Sequence, residues 1–266
     1  MPLQKSWVTR IMGKIFKYVL LDIVRNRIIL FYTIALLLIT MSVFNISETS
    51  EKALISLLNI ELIVLPLICC VFSTIYFYNS SEFIELLVSQ PVQRKTIFRS
   101  LCGGLICALS LAFIVGTGIP LLFFAYDKAC LLFMATGVLL TACFTAFALL
   151  AAVFTKDRAK GIGVTILMWF YFTLIYDGFI LFLLFQFSDY PVEKYLIVMS
   201  CLNPIDLVRI LILLEIDIAA IMGYTGALFR DFFGSRGGMA LSGVVLLAWT
   251  IIPLWIALRK FNRKDL

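Results

Sequence analysis

Histidine is absent from the sequence. Without it the chain has no imidazole general base, no HExxH zinc site and no histidine-ligated copper or haem of its own. Cysteine is present at Cys69, Cys70, Cys102, Cys107, Cys130, Cys143 and Cys201, but no two are spaced as CxxC and almost all lie inside apolar runs. They read as small hydrophobes, and no metal site is expected. No GxxxxGK[ST] loop occurs, so any ATP used with this chain would be hydrolysed on another subunit. Charge is scarce too: Asp, Glu, Lys and Arg make up 14% of the residues against 62% hydrophobic, and the mean hydropathy is +1.06. A soluble domain of this length could not hide so much apolar surface. No polar segment is long enough to bury a core of its own, and no nucleic-acid partner is expected.

What the sequence does hold is a succession of apolar runs, at Ile28 to Ile46, Ala53 to Tyr78, Leu101 to Tyr126, Ala129 to Phe154, Gly161 to Phe187 and Met239 to Leu258. Each is near or above the ~20 residues a helix needs to cross the hydrocarbon core. Very short connections after the first and third make those pairs antiparallel hairpins. Six crossings put both ends of the chain on one side. With that side inside, the inner segments hold Lys5, Arg10, Lys14, Lys17, Arg25, Arg27, Arg94, Lys95, Arg99, Lys156, Arg158, Lys160, Arg259, Lys260, Arg263 and Lys264. The outer segments hold only Lys52, Lys128, Lys194, Arg209, Arg230 and Arg236. This asymmetry predicts a plasma (inner) membrane protein with cytoplasmic N- and C-termini. Residues 1 to 27 are basic and helical in pattern, with Trp7, Ile11, Ile15 and Tyr18 on one face and Val8, Met12 and Val19 beside them. Arg10, Lys14 and Lys17 share another face. That pattern predicts an interfacial helix on anionic membrane lipid. The run from Ile28 is too long for a signal peptide and lacks a small-residue cleavage site, so the segment is expected to stay attached.

Between the second and third runs lies NSSEFIELLVSQPVQRKTIFR, residues 79 to 99. As a helix it puts Phe83, Leu86 and Leu87 on one side, with Glu82, Glu85 and Ser89 facing elsewhere, until Pro91 stops it. A short amphipathic helix at the membrane surface is a shape offered to a soluble partner; the alternative is an ordinary solvated loop. Residues 188 to 238 form a long outer segment. Its stretch Asn203 to Met222 has the length of a seventh span, but Asp206, Arg209, Glu215 and Asp217 interrupt it, at about 2.5 to 3.5 kcal/mol each near a bilayer centre. Two short helices dipping in from the outer face are expected instead, broken near Ala219 to Gly226 and closed by a loop from Phe233 to Gly238. Asp206 and Arg209, three apart, can pair. Glu61 and Asp177 fall inside spans, where an acid marks a functional site or reaches the outer interface. As a carboxylate pair they would be a thin catalytic set, so the chain is not expected to be an enzyme. Gly103, Gly104, Gly116, Gly118, Pro120, Gly161 and Gly163 read as packing and kink positions.

The order of these elements, with Asp22 and Arg25-Asn26-Arg27 leading into the first span and SQPVQRKTIF closing the cytoplasmic helix, resembles the ABC-2 type permeases. That family commonly carries an acidic, leucine-rich stretch followed by a Pro-Val/Ile-Ser-Arg element in the first cytoplasmic loop. Glu82, Glu85, Leu86, Leu87, Pro91, Val92 and Arg94 match it, while Gln93 replaces the usual serine and Arg99-Ser100 a common glycine-lysine. YNSSEFIELLVSQP, KDRAKGIG, FSDYPVEK, LNPIDLVRILILLEIDIAAIMGYTGALFRDFFGS and FNRKDL are similar to the permeases that serve maturation of the copper enzyme nitrous oxide reductase. The resemblance implies an all-α integral membrane protein of six transmembrane helices with an N-terminal interfacial helix (1–27), a coupling loop (79–99) within spans 28–187, an outer re-entrant helical hairpin (188–238) and a last span with a basic tail (239–266). It implies an ABC ATPase subunit holding ATP and Mg, a second permease copy and a periplasmic copper-enzyme maturation protein as partners. Glu82, Phe83, Glu85, Leu87, Gln90, Pro91 and Arg94 would contact the ATPase. Asn203, Pro204, Asp206 and Arg209 would meet the periplasmic partner. The broader alternative is an ABC-2 exporter of lipid, glycan or drug. Met41, Met134, Met168, Met199, Met222 and Met239 are too scattered to line a copper path.

Overall fold

A backbone amide in hydrocarbon must be paired inside its own segment, and helices do this locally. The computed structural model describes residues 2–89, 92–124, 127–186, 193–216 and 236–263, with no strand among them. The helices are α1 (Pro2–Val24), α2 (Arg27–Ile46), α3 (Ser50–Asn79), α4 (Ser81–Val88), α5 (Arg94–Phe124), α6 (Lys128–Phe154), α7 (Arg158–Gln186), α8 (Glu193–Leu202), α9 (Pro204–Glu215) and α10 (Arg236–Arg263). Six of them, α2, α3, α5, α6, α7 and α10, are long and apolar enough to cross a membrane. The chain is a multi-pass membrane protein. Short polar residues in the connections cap these helices. Asn26 accepts from the Ile28 amide, Thr49 from Lys52, Asp127 from Lys128 and Asp157 from Ala159, each satisfying a donor that the first turn leaves open.

The centre of the bundle is α6, packed against α3, α5, α7, α9 and α10. It carries no charge between Lys128 and Phe154, and its small residues Gly137, Ala146, Ala148 and Ala152 are buried, which lets neighbouring backbones come close. Gly137 lies directly against the Phe113 ring of α5. Elsewhere a Cβ on Gly116 would stand 2.7 Å from Leu36 Cβ of α2, and one on Gly161 would collide with the Tyr78 ring of α3. Gly163 has open space around it, so only part of the glycine pattern serves close packing.

Two spans depart from regular α geometry. In α5 the amide of Ile119 bonds to the Ile114 carbonyl, and in α7 the amide of Tyr176 bonds to that of Tyr171. Each is a single wider turn, with bonds reaching five residues instead of four, of the kind often found where a helix carries function.

Several boundaries differ from the sequence reading. The third span begins at Arg94 rather than Leu101, so Arg94, Lys95 and Arg99 are helical and not part of the loop. The last begins at Arg236, so Arg236 to Gly238 are helical rather than part of a closing loop. At the start of the third span the long basic side chains let the helix end run past the hydrocarbon boundary. The helix α8 was not foreseen. At twelve residues, α9 is too short to cross a membrane at ~1.5 Å per residue. The proposed break near Ala219 to Gly226 and the returning arm lie outside the described residues.

The N-terminal helix is docked more firmly than a purely interfacial segment requires. Ile15, Val19 and Ile23 are buried, whereas Tyr18 and Met12 are exposed; the packed stripe keeps Ile15 and Val19 of the expected apolar face and leaves Tyr18 and Met12 out. The side chains of Trp7, Val8, Arg10 and Ile11 lie outside the described residues. The Ser100 hydroxyl donates to the Met12 carbonyl at 3.2 Å, and Tyr76 donates to Asp22 at 3.0 Å. A Cβ on Gly104 would stand 2.5 Å from Val19 Cγ1. Gly104→Ile is therefore expected to lower the melting temperature of the detergent-purified protein, by the ~1–3 kcal/mol typical of overpacking. Val19→Ala in the same chain should restore most of it, whereas an unchanged melt for Gly104→Ile would mean that α1 is not held there.

Candidate functional site

One end of the bundle is a tied platform from which α4 projects. The Tyr78 hydroxyl bonds to that of Thr155, joining the ends of α3 and α6. Phe261 near the end of α10 meets Phe98 of α5 at 5.0 Å and Phe77 of α3 at 6.4 Å between ring centroids. Against this platform α4 turns Ile84, buried at 2% exposure, with Leu87 and Val88 packed beside it. Phe83 stacks on Tyr18 of α1 at 5.2 Å. The inward face is thus Ile84, Leu87 and Val88 rather than Phe83, Leu86 and Leu87. Phe83 and Leu87, expected to anchor a partner, are engaged within the chain. Glu82, Glu85 and Leu86 remain exposed, at one, four and five positions into the helix, and form its outward face. Arg94 opens α5 half-buried. Gln90 and Pro91 lie outside the described residues.

The other polar region joins two features that the sequence shows far apart. Arg209 of α9 donates to Asp177 of α7 at 2.8 Å and to Asp206 of its own helix at 3.2 Å. Asn203 caps α9 through the Ile205 amide, and its amide nitrogen donates both to Asp206 and to the Phe172 carbonyl, each at 3.0 Å. Phe172 belongs to the wider turn of α7, so this turn supplies the acceptor that holds α9 in place. Pro204 follows at the first helical position, where its missing amide costs nothing. Tyr176 donates to the Met199 carbonyl of α8 at 2.7 Å, and Trp249 of α10 to that of Cys201 at 3.1 Å.

Asn203, Pro204 and Asp206 are buried against the chain's own spans. Arg209, with 31% of its side chain exposed, and Asp206 line a cavity of about 240 Å³ together with Asp177 and Ser200. The exposed residues near this cluster that sequence reasoning missed are Tyr195, Val198 and Leu202, along α8. Helical spacing is their only sequence signal.

Glu61 stands apart. The Thr117 hydroxyl in the wider turn of α5 bonds to its carboxyl, and it lines a cavity of about 10 Å³ between α3, α6 and α9, room for about one water. Asp177 lines a different cavity and has a different partner, so the two intramembrane acids form no catalytic pair. No group of three or more metal-ligating acids or cysteines occurs among the described residues.

Compared with known proteins, the chain matches no family model and no curated protein.

Burial pushes Asp206 above the ordinary carboxylate value, the facing Asp177 charge adds to this, and Arg209 and Asn203 oppose it. An acid whose pKa is raised on docking favours the docked state most below its ordinary value near 4, and that preference is lost as pH rises through the shifted one. Amide exchange of α9 is therefore expected to quicken from pH 5 to pH 8 beyond the intrinsic base dependence. Asp206→Asn should flatten that excess. Arg209→Gln, which leaves two facing carboxylates without their cation, should loosen α9 at neutral pH by about 1–3 kcal/mol, less than for a fully buried pair because the site is partly wet. Equal protection of α9 in all three proteins would show that the cluster does not hold it.

Proposed function

We propose that this chain is the membrane-spanning permease subunit of an ATP-driven transporter of the ABC-2 type, supporting assembly of the copper sites of periplasmic nitrous oxide reductase. The observation that carries the reading is the build of α4. It is a short helix held by its apolar side against a cross-tied platform, with two acids and one leucine turned outward. A solvated loop has no need of such buttressing, whereas a lever that takes load from a soluble partner does.

In this reading an ABC ATPase, carrying ATP and Mg, receives Glu82, Glu85 and Leu86 in a groove. The charges set register, and Leu86 supplies the apolar contact in place of Phe83 and Leu87. Because only Ser80 separates α4 from α3 and only residues 89 to 93 separate it from α5, its displacement moves both spans. The hydrogen bond between Glu61 and Thr117 links those spans deeper in the bundle. Two copies of the chain would face each other to form the pathway. A periplasmic maturation protein would meet the exposed side of α8. The scatter of the methionines along the sequence favours a sulfur-containing species or mechanical work over passage of copper. The link to nitrous oxide reductase rests on the similarity of the outer segment described above, and the first-loop motif supports the broader ABC-2 reading.

The test is co-purification with the ATPase encoded beside it. Wild-type protein should retain the ATPase in detergent, and Glu82→Lys with Glu85→Lys should release it while the melting temperature holds. Leu86→Ser should weaken retention by about tenfold, the ~1.4 kcal/mol of one buried apolar contact. No retention by the wild type, or full retention by the charge reversal, would overturn the proposal.

A further inference from the structure

Where α5 and α10 run side by side at the α4 end of the bundle, they leave an apolar groove of about 340 Å³. The two helices are antiparallel. α5 leaves this end from Arg94, and α10 arrives to finish at Arg263, with Phe261 against Phe98. Arg99 and Arg259 therefore stand at the same level, near the membrane surface. Ile106 and Ile251 line the groove about 10 Å deeper, at the rise of an α-helix. Gly103, without a side chain, forms part of the floor, and Trp255, half exposed, forms one wall.

The two arginines are arranged differently from cations that serve the fold. Among the described residues neither has a carboxylate partner. Arg259 instead lies over the Trp255 ring, its guanidinium carbon 3.5 Å from the ring centroid. A guanidinium stacked in this way is attracted to the face of the ring and keeps its N–H groups in the stacking plane, where they can fork around a phosphate. Arg99, exposed on the opposite lip, supplies a second set of donors. The neighbouring Lys260 lies over Phe154, away from the groove.

We propose that this groove is a binding site for one anionic phospholipid, its phosphate held between Arg99 and Arg259 and an acyl chain laid along Gly103, Ile106, Ile251 and Trp255. Charge complementarity and the apolar depth below the two cations select this occupant. A zwitterionic lipid would place its own cation against the arginines. Basic pockets between transmembrane helices are suited to anionic headgroups on the same physical grounds. The site needs only the multi-pass fold, so it does not depend on the proposed ATPase.

Native mass spectrometry of the full chain, purified and exposed to equal amounts of phosphatidylglycerol and phosphatidylcholine with the same acyl chains, tests the site. Phosphatidylglycerol should be retained in preference, and Arg99→Gln with Arg259→Gln should reduce that preference roughly tenfold or more. Arg99→Lys with Arg259→Lys, which keeps both charges, should retain most of it and controls for folding. In vesicles, phosphatidylglycerol with dibrominated acyl chains should quench a part of the tryptophan fluorescence that is missing in Trp255→Phe. Equal retention of the two lipids, or retention that ignores the double glutamine variant, would overturn the proposal. So would a Trp255 signal that the brominated lipid cannot reach because a second copy of the chain covers the groove.

Discussion

A peptide group inside hydrocarbon has no water to bond with, so each one has to be satisfied by the chain itself, and the rest of this structure follows from how that requirement is met. Helices meet it without help from neighbours. The two places where a span widens to a five-residue bond, at Ile114 to Gly118 in α5 and Tyr171 to Ile175 in α7, are also where buried polar side chains gather. Thr117 in the first bonds to Glu61 of α3, and the Phe172 carbonyl in the second accepts from Asn203 of α9. Breaking the regular ladder and placing a polar group from another helix are thus two parts of one arrangement.

Close approach comes next, because lipid supplies no hydrophobic force to press one apolar helix on another. Contact has to be gained by fit. Gly137 under Phe113, Gly116 under Leu36, Gly104 under Val19 and Gly161 under Tyr78 each remove a side chain where another must enter. The central α6 has no charge along its buried length and touches helices on every side, a fixed post around which the others are placed.

The two ends of the bundle are then closed by different chemistry. At the α4 end, aromatic rings and hydroxyls tie α3, α5, α6 and α10 together, and α1 braces α5. Such contacts do not depend on pH. At the other end an arginine between two aspartates holds α9 to α7. That closure is only partly buried and includes Asp206, whose carboxyl pKa is pushed above its ordinary value by burial, so it is the more easily altered of the two.

The six spans and their order are legible in the sequence because each depends on residues close together in the chain, an apolar run of sufficient length. The pairing of Asp206 with Arg209 is legible for the same reason, since both stand on one helical face. The orientation of α4 is not. Ile84, Leu87 and Val88 have the same spacing as Phe83, Leu86 and Leu87, and only the place where Tyr18 of α1 and the platform meet the helix selects between them. Asp177 and Arg209 likewise carry no sequence sign of one another, because their meeting depends on the angle at which α9 returns beneath the wider turn of α7. The sequence by itself determined which segments enter the membrane, a matter of transfer free energy summed over neighbouring residues. Tertiary structure alone decided which of their faces meet, because that depends on shape complementarity between segments distant in the chain.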